Sequence, residues 1–196
     1  MNKKQSIIKR GIDIVLSAGG AILFSPVMLI TALLIKLDSN GPVFFTQERV
    51  GRDKKPFKLY KFRTMKVGAE KEGLGFDVEE NDSRITLIGN FLRRWCIDEL
   101  PQLFNVLKGE MSIVGPRPTL KYQVDNYTDA DARRLEVKPG MTGLAQVRGR
   151  NALTWPEKIK YDVEYIDNYS TGLDFKIMFE TVGLVAKAKG IYGSRD

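Results

Sequence analysis

The 196-residue chain carries a formal net charge of +7 and a sequence pI near 9.4. It has one cysteine, Cys96, and no histidine, which excludes an internal disulfide, Ser-His-Asp and Cys-His catalysis, histidine general bases and the usual zinc sites. Catalysis would have to rest on carboxylates, lysines, arginines, tyrosines or a hard metal held by oxygen; the positive balance suits nucleic acid, an anionic membrane surface or phosphorylated substrates alike.

The first element is apolar. Between Asp13 and Lys36 no residue is charged, and Ile14 through Ile35 reads IVLSAGGAILFSPVMLITALLI. A straight helix over this stretch, at ~1.5 Å per residue, would just cross a bilayer core of ~30 Å. Ser25-Pro26 near its midpoint argues against a straight crossing, because proline removes an intrahelical hydrogen bond and clashes with the preceding turn. Backbone groups freed by such a break need partners in lipid, and a serine hydroxyl can supply one. Lys3, Lys4, Lys9 and Arg10 precede the stretch; Lys36, Arg49, Arg52, Lys54, Lys55 and Lys58 follow it. Positive charge marks the cytoplasmic side, so its presence at both ends predicts a kinked, re-entrant membrane helix over residues 1–38. Three readings compete: a signal peptide, a single-pass anchor and a buried core helix. The run exceeds the ~7–15 apolar residues of a signal peptide and no clear cleavage site follows. A single pass tolerates proline, whereas few soluble domains of this size could enclose 22 uncharged residues on all sides.

Residues 39–196 suffice for one domain with its own core. Val43-Phe44-Phe45-Thr46 and Phe57 to Phe62, joined by a turn around Gly51-Arg52-Asp53, predict a β-hairpin. Lys66 to Ser83 is polar and acidic with three glycines, as in a loop or lid. A short helix is expected over Ile85 to Trp95. Asp98 then reads as the N-cap of a helix carrying Leu100, Leu103, Phe104, Val106 and Leu107 and ending at Gly109, with Pro101 in its first turn. Near the C-terminus, Phe175, Met178, Phe179, Val182, Val185 and Ala186 form an apolar stripe opposite Lys176, Glu180 and Lys187. Core packing is its default reading and membrane-surface contact the sharper one.

Residues able to do chemistry concentrate between Arg93 and Arg117. Asp98 and Glu99 are adjacent acids at a predicted helix start, where free N–H groups and the helix dipole favour negative charge. Such a pair suits a nucleophile or Mg²⁺, which takes oxygen ligands and often shares its shell with substrate phosphates. On these two residues alone, a plain N-cap followed by an exposed glutamate is the default reading. The neighbours add weight. Arg93 and Arg94 lie one turn upstream, and Gly115-Pro116-Arg117-Pro118 sets an arginine between two stiff prolines. Arg148-Gly149-Arg150-Asn151 adds cations on a glycine-permitted bend, and guanidinium forks suit phosphate. Acids among fixed cations suit phosphoryl chemistry.

The run from Ile97-Asp98-Glu99-Leu100-Pro101-Gln102 through Ser112 to Gly115-Pro116-Arg117-Pro118 resembles the signature of the bacterial sugar transferases known as monotopic phosphoglycosyl transferases. Phe62-Arg63-Thr64-Met65, Pro139-Gly140-Met141-Thr142-Gly143, Gly149-Arg150-Asn151 and the Ser25-Pro26 break match in the same order. The resemblance covers essentially the whole chain, in a form similar to minimal undecaprenyl-phosphate N-acetylhexosamine-type 1-phosphate transferases. It implies an enzyme that moves a sugar 1-phosphate from a UDP-sugar to a polyprenyl phosphate, releases UMP and initiates polysaccharide assembly. The location implied is the cytoplasmic face of the bacterial inner membrane. By the same resemblance, Asp98 is the nucleophile that forms a phosphosugar-aspartate, and Glu99 helps hold Mg²⁺ or orients the acceptor. Arg93 and Arg117 match phosphate or nucleotide contacts, and Asp162 matches a further acidic position. Lys61, Arg63 and Arg150 are weaker candidates, for which solvated or lipid-facing roles stay open. The fold expected is α+β: a re-entrant helix, a small β-hairpin and a mainly helical cytoplasmic catalytic domain with amphipathic interfacial helices.

A basic membrane adaptor without catalysis would explain the anchor and the charge, but gives no reason for acids among ordered arginines. A nucleic-acid binder rests on the pI alone and shows no known module, so no nucleic acid is expected as partner. A homodimer is compatible with the broken helix.

Overall fold

The computed structural model describes residues 3–69 and 82–187. Most of the loop expected over Lys66 to Ser83 lies outside the described residues.

Helix α1 (Lys3–Leu23) and helix α2 (Ser25–Asp38) meet at Phe24 with a bend of 58°. The expected break is present, and its chemistry is visible: Pro26 sits in the first turn of α2, and Ser25 Oγ donates to the Ile22 carbonyl at 2.8 Å. Among the described residues no single helix is long and apolar enough to cross a membrane, but this bent pair meets the length and composition together.

The buried face of α1 is polar. Lys9, Asp13 and Ser17, one turn apart, are buried, while Val15, Ile22 and Leu23 are exposed by 70% or more. On α2, Leu29 and Leu37 are exposed to a similar degree. A water-soluble amphipathic helix has the opposite arrangement. Lys9 Nζ reaches Asp174 Oδ2 at 2.7 Å, and Arg10 donates to the Val106 and Leu107 carbonyls at 2.6 and 2.8 Å. Asp13 Oδ1 accepts from Ser112 Oγ and the Ile113 N–H, each at 2.9 Å. Lys9 and Arg10, expected among the flanking positive charges, are thus engaged with the protein itself.

Strands β1 (Phe44–Val50) and β2 (Pro56–Phe62) form the expected antiparallel hairpin, with Phe44 opposite Phe62 and Val50 opposite Pro56. Helix α3 (Leu87–Arg94) is capped by Thr86 and helix α4 (Gln102–Lys108) ends at Gly109, whose φ of 85° suits glycine. Strand β3 (Ser112–Val114) leads to short helices α5 (Lys121–Val124) and α6 (Asp129–Ala132). Strand β4 (Gly140–Thr142) pairs with β3 in parallel. Helices α7 (Leu144–Arg148), α8 (Trp155–Asp167) and α9 (Thr171–Ala186) complete the α+β chain.

Phe57, Leu59, Val106 and Met111 pack β2 against α4. Val114, Leu144, Tyr165, Ile166 and Ile177 join β3 to α7, α8 and α9. Asn105 is fully buried and joins α4 to β2: its Nδ2 donates to the Lys58 carbonyl at 2.7 Å, and its Oδ1 accepts from the Tyr60 N–H at 3.0 Å. The stripe expected on α9 does not face the core as a whole. Asp174 and Ile177 are buried and Met178 packs against the core, whereas Phe179 and Val182 are exposed by 77% and 69%. The inward face carries Ile177 in the core and Asp174 on Lys9, and Phe179 lies on the outward side.

Candidate active site

The two adjacent acids sit on a 3-10 turn, Ile97–Glu99, between α3 and α4. Cys96 enters the turn with a φ of 55°, and the Leu100 N–H closes it on the Ile97 carbonyl at 3.1 Å. Asp98 is therefore not the N-cap of α4, which starts at Gln102 after Pro101 and has no side-chain cap. The turn places both carboxyls against Lys61 of β2.

Lys61, on β2, stands between them. Its Nζ lies 2.7 Å from Glu99 Oε1 and 3.5 Å from Asp98 Oδ2. Arg117 Nη2 approaches the same Glu99 oxygen at 2.7 Å. Burial pushes the Asp98 carboxyl above its ordinary range; Lys61 and, more weakly, Arg93 and Arg117 oppose the rise, while Glu99 adds to it. Burial would raise Glu99 as well, but Arg117 and Lys61 outweigh it and hold that carboxyl well below the usual range. Two neighbouring acids are thus driven apart, Asp98 upward and Glu99 downward.

The remaining candidates occupy different places. Arg93 Nε donates to Thr64 Oγ1 at 2.8 Å, fixing the end of α3 to the segment after β2. Arg63 donates to the Ser39 and Asn40 carbonyls at 2.8 and 2.5 Å and ties down the link between α2 and β1. Arg150 Nη2 lies 3.6 Å from Cys96 Sγ, next to the turn that bears the acids. Asp162, on α8, is 2% exposed and pairs with Arg134 at 2.5 Å. The structure brings Asp98, Glu99, Lys61 and Arg117 into contact. Arg93 and Arg150 flank them, Asp162 pairs with Arg134, and Arg63 belongs to the α2–β1 link.

A model of the family described as "Bacterial sugar transferase" matches residues 4–188. The chain belongs to that family. It is 45% identical over 185 residues to the uncharacterized sugar transferase EpsL of Bacillus subtilis (strain 168), covering 94% of this chain and 90% of that protein. It is 44% identical over 192 residues to the UDP-N-acetylgalactosamine-undecaprenyl-phosphate N-acetylgalactosaminephosphotransferase of Aeromonas hydrophila, covering 94% of this chain and 45% of that protein. It is 45% identical over 192 residues to the UDP-glucose:undecaprenyl-phosphate glucose-1-phosphate transferase of Escherichia coli (strain K12), covering 93% of this chain and 41% of that protein. The chain thus spans most of the first relative and less than half of the other two.

In this sugar transferase, Arg49 and Arg134 are the parts that sequence reading missed. Arg49 Nη1 donates to the Pro118 carbonyl at 3.2 Å; burial and the charge of Arg117 push its guanidinium down to about 10. Arg134 Nη2 donates to the Arg117 carbonyl at 3.2 Å. Both act on the backbone of another segment, and a local sequence pattern carries no sign of such a contact. Among the described residues no group of three or more His, Cys, Asp or Glu could hold a metal ion. Asp98 and Glu99 by themselves supply two adjacent hard-oxygen donors. They are the residues that would hold Mg²⁺, which keeps several waters and completes its shell with substrate phosphates rather than with an all-protein cage.

Proposed function

We propose that this chain transfers a sugar 1-phosphate from a UDP-sugar to a polyprenyl phosphate with release of UMP, in two steps through a covalent phosphosugar-aspartate. The observation that carries the reading is a buried acid pair held by Lys61 and Arg117 in a member of the sugar transferase family. The undecaprenyl-phosphate transferases among the relatives supply the reaction class.

In the first step a carboxylate oxygen of Asp98 forms a bond to the β-phosphorus of the donor. The bond from that phosphorus to the bridging oxygen breaks, and UMP leaves with the electron pair. In the second step a phosphate oxygen of the polyprenyl phosphate attacks the same phosphorus, and the Asp98 carboxylate departs. The product is a polyprenyl diphosphate sugar. Arg117 and Lys61 offset the repulsion between an anionic nucleophile and an anionic diphosphate, and the burial of the two acids strengthens the effect. Glu99 holds both cations beside the nucleophile and stays ionised. Mg²⁺, held by Asp98 and Glu99, would supply further charge neutralisation to the diphosphate.

The outward apolar faces of α1 and α2 support seating in a membrane, and their bend supports re-entry by the cytoplasmic face. There the lipid phosphate and the soluble nucleotide sugar can meet, and the product begins a membrane glycan. The donor we propose is a UDP-N-acetylhexosamine, the class named in the Aeromonas relative.

The test is UMP release from a panel of UDP-sugars by protein in detergent with Mg²⁺ and undecaprenyl phosphate. Acceptor-dependent release from one donor, abolished by Asp98→Asn and by EDTA, is the expected result. A folded protein that releases no UMP from any donor would remove the reading, and preference for UDP-glucose would correct the donor.

A further inference from the structure

Arg117 bears the guanidinium that holds Glu99, yet its side chain is half-exposed, so its position depends on its backbone. That backbone is tied down along its length. Pro116 and Pro118 limit rotation on either side. The Pro116 carbonyl accepts from the Gly140 N–H at 2.8 Å, and the Thr119 carbonyl accepts from the Val50 N–H at 2.9 Å. The Pro118 carbonyl accepts from Arg49, and the Arg117 carbonyl accepts from Arg134.

Of these tethers, the one at Arg117 itself has the most elaborate support. The Arg134 side chain is 2% exposed. One nitrogen, Nη2, donates to the Arg117 carbonyl at 3.2 Å and forms an ion pair with Asp162 Oδ2 at 2.5 Å, in a geometry that leaves that buried oxygen without a hydrogen bond. The other, Nη1, donates to the Tyr127 hydroxyl at 2.7 Å. The guanidinium carbon lies 5.0 Å from the Trp155 ring centroid and 5.8 Å from that of Tyr127. A buried charge paired with a carboxylate, donating to a hydroxyl and a carbonyl and flanked by two aromatic rings has a fixed orientation, which a planar guanidinium suits. A role limited to stability is poorly served by such a device, because a buried ion pair adds little over an apolar pair of the same volume.

We propose that Arg134, with Asp162 as its counterion, is a positioning residue for the transfer reaction: it fixes the Arg117 backbone so that the Arg117 guanidinium stays on Glu99 beside Asp98. Asp162 then serves through Arg134 and Arg117 and does not touch the reacting phosphorus. The proposal rests on the phosphoryl-transfer reading for its kinetic consequence, while the clamp itself is a property of the fold.

The test is a double-mutant cycle on the full chain in detergent, with UMP release as one readout and amide hydrogen exchange of the 115–120 segment as the other. Arg134→Gln lowers kcat by roughly 10- to 100-fold, the effect of displacing a charge-stabilising group by about an ångström, with a smaller change in KM for the UDP-sugar. In an Arg117→Ala background the same substitution lowers kcat by less than about twofold, because its target is already gone. Asp162→Asn follows the same pattern. Amides of the 115–120 segment exchange faster in Arg134→Gln, while α8 and α9 keep their protection. Should Arg134→Gln not fold, Arg134→Lys keeps the charge for Asp162 without the fork and gives the same two readouts. Equal losses from Arg134→Gln with and without Arg117, or unchanged exchange at 115–120, would overturn the clamp. A wild-type protein without transfer activity would overturn the reaction reading, and the exchange measurement would still decide the clamp.

Discussion

Lys9 Nζ on the first helix lies 2.7 Å from Asp174 Oδ2 on the last, and both side chains are nearly buried. The Tyr165 hydroxyl donates to the other oxygen of Asp174 at 2.7 Å, and the Lys9 ammonium also lies 5.6 Å from the Tyr169 ring centroid. The outward apolar faces of α1 and α9 are thereby set relative to each other by a polar contact. Removing one partner leaves a buried charge alone. Lys9→Met is expected to destabilise the protein by about 3–5 kcal/mol, whereas Lys9→Met with Asp174→Leu recovers most of the loss. Chemical unfolding in detergent, followed by circular dichroism, checks both.

The pairing of Lys61 with both acids predicts how Asp98 titrates. Burial raises the Asp98 carboxyl and Lys61 is the largest force opposing that rise. Lys61→Met should therefore move the Asp98 titration to higher pH, leaving less carboxylate ionised at a given pH below the midpoint. Lys61→Arg should largely restore it. Carbon-13 NMR of labelled aspartate in the metal-free protein measures the shift, and a downward movement in Lys61→Met would contradict the assignment.

Asn105 joins α4 to the strand that carries Lys61. It also donates to Glu110 Oε2 at 2.7 Å. Asn105→Leu keeps the volume but strands the Tyr60 N–H and the Lys58 carbonyl, at a cost of about 2–4 kcal/mol. The melting temperature should fall, and activity should fall with it as Lys61 loses its register.

Gly89 permits close contact between α3 and the segment after β2. A Cβ there would stand 2.0 Å from the Thr64 carbonyl oxygen. Gly89→Ala is expected to push α3 away and break the bond from Arg93 to Thr64, lowering both stability and UMP release. Retention of wild-type values for both quantities would show that α3 can shift without consequence.

The bend at Phe24 places Pro26 where its missing N–H is tolerated. Pro26→Leu should favour a continuous helix long enough to cross, exposing the N-terminus on the outer face and lowering activity. Labelling of an N-terminal cysteine in a Cys96→Ser background, from either side of sealed vesicles, reads the topology. A terminus that stays cytoplasmic in this variant would count against re-entry.

The sequence by itself determined the kinds of chemistry available and the local elements that carry them. Absence of histidine left acids and cations, Ser25-Pro26 marked the break, two β-prone runs around a glycine turn marked the hairpin, and the signature around Asp98 and Glu99 marked the family. These features were legible because each depends on neighbours within a few residues. Only the tertiary structure decided which cations meet the acids. Lys61 and Arg117 lie 38 and 18 residues from Glu99, and both bind the same oxygen of it. It also decided that Asp98 lies on a separate turn, that α9 presents Phe179 outward, and that Arg134 and Arg49 hold the backbone around Arg117. Helical or strand periodicity reports the face of one element, whereas an ion pair depends on how two elements pack, and that is set by the whole core at once.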